Sequence, residues 1–149
     1  MTLEEKLCAY AQKRNTQVLE HSLPECGSIA VKVDEGCFIG IDPEVFRSES
    51  ERAVVMAHEL GHCETDSFYC THSPMITRQR LERRASVWAI EHLIPYSRLV
   101  CAIERGICEE WELAEHFEVT REFVRAAIRY YSTGELDFSP SQRDEDESV

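Results

Sequence analysis

Five consecutive residues, His58-Glu59-Leu60-Gly61-His62, carry two imidazoles and a carboxylate in the pattern H-E-x-x-H. On a helix, positions i and i+4 project from one face a turn apart, so the two rings can grip one ion. Glu59 is rotated about 100° from His58, which lets it reach a water on that ion without being a ligand. Zinc held in this way lowers the pKa of its water towards about 7, and the carboxylate can accept the proton. The chemistry implied is metal-assisted hydrolysis of a peptide bond. Chance would place two histidines and a glutamate at this spacing in well under roughly 1% of chains this long.

Catalytic zinc takes three protein ligands and keeps one position open, so the pattern requires a third. Glu82 lies 20 residues after His62 and shares a helical face with Ala85 and Ala89. A carboxylate at the edge of a core-facing stripe is costly unless paired, and a zinc ion would pair it. The small residues Ala85 and Ala89 would let that helix pack close to the histidine helix, with Gly61 as the matching flat spot. The alternatives for Glu82 are surface ion pairs with Arg78 or Arg83. His72, Glu64, Asp66 and Glu91 are rival ligands. Tyr69 and His72, in the loop after the motif, could reach over the site as weak candidates for stabilising an oxyanion.

The elements that must position these groups follow from periodicity and punctuation. Leu3, Leu7, Tyr10, Ala11 and Val18 predict a helix over 3–20. Leu23-Pro24-Glu25-Cys26-Gly27 breaks it, and Ile29–Val33 and Cys37–Ile41 read as a hairpin turning at Asp34-Glu35-Gly36. Either strand could offer an edge to an extended substrate. Ser48 with Glu51 forms a capping box for a helix from about Glu49 to Cys63. A loop over 65–77 leads to a helix from about Arg78 to Ile94, stopped by Pro95. Shorter helices are expected over 97–105, 109–117 and from a Thr120 cap to Tyr131.

The bulk numbers limit the function classes. With 149 residues, one domain is expected. A net charge of −12 disfavours the whole molecule as a nucleic-acid binder. No apolar run approaches a membrane span or a signal-peptide core, so the expected location is the cytoplasm. Seven cysteines without a C-x-x-C pair read as mostly reduced, small core residues.

Ala57-His58-Glu59-Leu60-Gly61-His62-Cys63, together with Glu82-Arg83-Arg84-Ala85-Ser86-Val87-Trp88-Ala89 and Leu93-Ile94-Pro95, resembles the ImmA/IrrE family of metallopeptidases over roughly residues 20–131. The likeness implies an α+β, zincin-like domain at 1–136, with a small hairpin or sheet and a mainly helical C-terminal part. It implies a gluzincin-like zinc set of His58, His62 and Glu82, with Glu59 catalytic. It also implies that the substrate is one regulatory protein, a helix-turn-helix repressor of a phage or mobile element. Ser86 departs from the family, where Asn or Asp is frequent.

Residues 107–131 have the outline of a DNA-binding helix-turn-helix, with Arg121, Arg125 and Arg129 as one basic stripe. Leu113, Phe117, Val119, Phe123, Val124, Ala127 and Ile128 also make an ordinary packing face, and Glu118 and Glu122 can neutralise arginines. Nucleic acid is therefore not the expected partner. Arg78, Arg80, Arg83 and Arg84 form a second basic cluster beside the site, read as a solvated face or an attraction for an acidic substrate segment. The acidic stretch 137–149 is expected to be disordered. The rival to a peptidase is a metal-containing regulator that grips its partner without cutting it.

Overall fold

The computed structural model describes residues 1–138 and 140. It is an α+β domain of six helices and a three-stranded sheet. Helix α1 (Leu3–Lys13) starts at a capping box in which the Thr2 hydroxyl accepts from the Glu5 amide and the Glu5 carboxylate accepts from the Thr2 amide. It ends earlier than periodicity alone predicts. Asn15 adopts φ +57 and turns the chain, and Thr16–Glu20 becomes strand β1. Asn tolerates that left-handed conformation. Val18 fits a helical period after Ala11, but it fits the alternation with Thr16 equally well, and pairing with a neighbouring strand decides in favour of the sheet.

Strands β2 (Ser28–Val33) and β3 (Gly36–Ile41) form the expected antiparallel hairpin, turning through Asp34 at φ +52. β1 pairs with β3 in parallel, from Thr16↔Cys37 to Glu20↔Ile41. The order β1-β3-β2 makes β3 central and leaves β2 at an edge. β3 is therefore unable to offer the substrate edge entertained for it, because both its sides are already paired. Ahead of β2, Gly27 sits at φ +76 against the Phe46 ring, a place with no room for a side chain.

Helix α2 (Glu49–Thr65) begins where Ser48 Oγ accepts from the Glu51 amide. Every residue from Ala53 to His62 is buried, so α2 runs through the middle of the domain. It ends at Asp66 in the left-handed region. Helix α3 (Met75–Leu93) starts three residues before the expected Arg78. Proline at position 74 has φ −56, suited to opening a helix. Gly61 of α2 faces the backbone of Ala85 so closely that a Cβ there would collide with the Ala85 carbonyl. The flat spot expected from sequence is thus the contact that brings α2 and α3 together.

Helices α4 (Tyr96–Glu104), α5 (Glu110–Phe117) and α6 (Arg121–Thr133) complete the core with Leu99, Leu113, Phe117, Val119, Phe123, Val124 and Ala127. Ile128, expected on that packing face, is 38% exposed. Phe138 lies inside the stretch expected to be tail, yet it packs edge-on against Phe123 with ring centroids 5.6 Å apart. Ser139 and residues 141–149, on which the rest of the disorder expectation falls, lie outside the described residues.

The cysteines are mostly reduced, as expected, but they are not mostly core residues. Cys37 of β3 and Cys63 of α2 form a disulfide, and the other five are free. Cys70, Cys101 and Cys108 are exposed rather than core residues, because they fall in the loop after α2 and on outer positions of α4 and the α4–α5 turn. No helix among the described residues is long and apolar enough to cross a membrane.

Candidate metal centre

The buried middle of α2 carries His58, Glu59 and His62, which are 1%, 3% and 6% exposed. Glu82, on the second turn of α3, is 8% exposed and faces them. One ligand atom each from His58, His62 and Glu82 can be chosen so that all lie within 4.8 Å of one another. His58 Nε2 is 2.8 Å from Glu82 Oε2, and His62 Nε2 is 3.2 Å from Glu82 Oε1.

The other ring nitrogens fix the tautomers. His62 Nδ1 lies 2.6 Å from the Ser67 carbonyl, which can only accept, so Nδ1 carries the proton. Ser86 Oγ donates to the Phe138 carbonyl at 3.0 Å and therefore accepts from His58 Nδ1 at 2.9 Å. In both neutral rings Nε2 is left with a lone pair, and both lone pairs face the Glu82 carboxylate. Three acceptors thus converge in a buried space with no proton of their own to share. That is the donor chemistry of a divalent-cation site built from two nitrogens and an oxygen.

The electrostatics agree. Burial would push the Glu82 carboxyl up, but the adjoining His58 and His62 rings and the hydrogen bond from Tyr69 outweigh it and hold Glu82 well below the usual carboxylate range. Burial would lower His62, yet Glu82, Glu59 and the Ser67 carbonyl together raise it. The pocket therefore stabilises positive charge at its centre.

Glu59 is not one of the three converging groups. Its Oε1 accepts from Ser28 Oγ at 2.7 Å, a bond from the first residue of the edge strand β2. Burial raises its pKa, opposed by the two histidines and Ser28. Tyr69 donates its hydroxyl to Glu82 Oε1 at 2.7 Å. Burial and that bond push the phenol well above its ordinary value. His72 is exposed and stands outside the group. The rival ligands are engaged elsewhere: Glu64 accepts from Tyr10, Asp66 from Lys32 and Glu91 from Tyr130.

Three contributors were not read from the sequence. Ser28 meets Glu59 across 31 positions, and a strand-opening serine carries no local signal of this. Ser67 and Phe138 contribute backbone carbonyls, which side-chain motifs cannot reveal. Ser86, the departure from the family pattern, still supplies the hydrogen bond to His58.

An α+β domain with a histidine pair on one buried helix and a carboxylate on the next is a zincin-like metallopeptidase fold. Residues 11–129 match the family model described as the IrrE N-terminal-like domain, and the chain belongs to that peptidase family. No curated protein and no solved structure matched the chain.

Proposed function

We propose that the protein is a zinc-dependent endopeptidase that cuts one bond in a specific regulatory protein, a helix-turn-helix repressor of a phage or mobile element. The observation that carries the reading is the convergence of His58 Nε2, His62 Nε2 and the Glu82 carboxylate in a buried space. These three residues would hold the ion. Zinc bound there would supply Lewis acidity, acidifying a water and polarising the scissile carbonyl.

The chain's own residues do the rest. Ser28 occupies Glu59 Oε1, which leaves Oε2 to take a proton from the attacking water and return it to the departing amine. Burial makes Glu59 a stronger base than an exposed glutamate. In this reading Tyr69 steadies Glu82, and no role is assigned to His72, which is exposed and outside the ligand group. The edge strand β2 begins at Ser28, so an extended substrate pairing along it would be led towards Glu59.

The repressor class rests on the likeness to ImmA/IrrE peptidases. DNA is a poor fit for α5 and α6. Arg121 and Arg125 are both bound by Glu110, at 3.2 and 2.8 Å, and Arg129 is bound by Glu135 at 2.7 Å. The deciding experiment is Glu59→Gln. Cleavage of the partner should stop while zinc and partner binding persist. If the partner is still inactivated by that variant, the protein is a metal-containing regulator and not a protease.

A further inference from the structure

Away from the metal centre, the N-terminal ends of α1 and α2 and one face of α5 enclose a groove of about 550 Å³. Its floor is apolar: Leu3, Ala114, Val119 and the ring of Trp111, which is 51% exposed. Its rim is acidic, with Glu4, Glu49, Glu115 and Glu118. Glu4 is partnered by Arg52 at 3.4 Å. Glu49, Glu115 and Glu118 have no ion pair among the described residues. Arg121 is the single cation of the lining, and its guanidinium is held by Glu110. The α5 face that borders the groove therefore offers an exposed indole framed by carboxylates that have no ion pair among the described residues.

We infer that this groove docks a lysine- or arginine-rich segment of the substrate protein that carries one large apolar side chain. The apolar residue packs on Trp111, and the flanking cations meet Glu49, Glu115 and Glu118. Charge complementarity selects this occupant: an acidic segment would be repelled, and a neutral one would leave the rim unmatched. The inference rests on the peptidase reading only for the identity of the partner. A DNA-binding repressor carries a basic surface of this kind, because it must neutralise phosphates.

The test uses the full chain with Trp88→Phe, leaving Trp111 as the sole indole reporter. The probe is a capped Lys-Arg-Leu-Ser-Arg-Lys peptide, with a Glu-Glu-Leu-Ser-Glu-Glu peptide and a Lys-Arg-Ser-Ser-Arg-Lys peptide as controls. A saturable change in Trp111 emission is expected with the first peptide alone, weakening as salt is raised. Glu115→Lys with Glu118→Lys should weaken it by about tenfold or more. No saturable change, equal binding of the acidic peptide, or an unchanged affinity in the double variant would overturn the inference. None of these readouts uses metal or cleavage. Peptide binding that survives a chelator, in a protein that cuts no repressor, would uphold the groove while removing the repressor assignment. Cleavage without peptide binding would do the reverse.

Discussion

The Nδ1 of His62 lies 2.6 Å from the carbonyl oxygen of Ser67, five residues further along the chain. Since that oxygen can only accept, the bond sets which ring nitrogen is free to bind an ion. The turn after α2, with Asp66 in the left-handed region, delivers the carbonyl. The His62 ring is thus oriented by the way its own helix ends.

His58 depends instead on a side chain. Ser86→Ala removes the acceptor for His58 Nδ1. Zinc affinity, measured by competition with a chromophoric chelator, should fall by about 10–100-fold. Ser86→Asn, with a carbonyl oxygen in the same region, should recover much of it. Equal affinities in all three proteins would show that His58 needs no such support.

Ser28→Ala leaves the metal ligands untouched and frees Glu59 Oε1. Zinc content should stay unchanged, while kcat on a cleaved substrate should drop by roughly tenfold or more and Ser28→Thr should retain activity. A loss of zinc in Ser28→Ala would mean that the serine supports the fold of the site rather than the carboxylate.

Gly61→Ala inverts an ordinary expectation. Alanine is better than glycine inside a helix by about 1 kcal/mol, but here the new methyl meets the Ala85 backbone. Overpacking costs about 1–3 kcal/mol, and a backbone carbonyl cannot swing aside as a side chain can. A net destabilisation of up to about 2 kcal/mol is expected from urea unfolding. A stabilised variant would show that α2 and α3 are not in contact there.

His92 stacks on Trp88, with ring centroids 4.6 Å apart, and meets Tyr10 edge-on at 4.9 Å. Although His92 is exposed overall, the Trp88 and Tyr10 rings desolvate part of it and lower its pKa from 6.5, partly opposed by Glu64. The folded state therefore favours the neutral ring. Its contribution to stability is complete above the unfolded value and is lost as pH falls through the lower folded value. The urea midpoint should fall as the pH is taken down through and below 6.5, and His92→Gln should lessen that fall. An identical slope in the variant would assign the pH dependence to other groups.

Much of this site was legible because its parts are local in sequence or tied to a period. The pair His58 and His62 lies within one turn. Glu82 stood out as a carboxylate on a face with Ala85 and Ala89, but spacing left an ion pair with Arg78 or Arg83 equally open and the likeness to ImmA/IrrE peptidases favoured it; Gly61 showed as a gap in the histidine helix. What escaped was settled by distant partners. Thr16–Glu20 became a strand because β3 was there to pair with it. The Cys37–Cys63 bond joins residues 26 positions apart, and neither cysteine is marked locally. The basic stripe of α6 looked available because Glu110, which binds two of its arginines, lies on another helix.

Metal content tests the central claim most directly. The purified chain should hold about one zinc, and His58→Ala, His62→Ala and Glu82→Ala should each lose it while circular dichroism shows the helices intact. Zinc retained in Glu82→Ala but lost in the histidine variants would move the third ligand elsewhere. No metal in the unaltered protein, even after zinc is supplied, would contradict the peptidase reading outright.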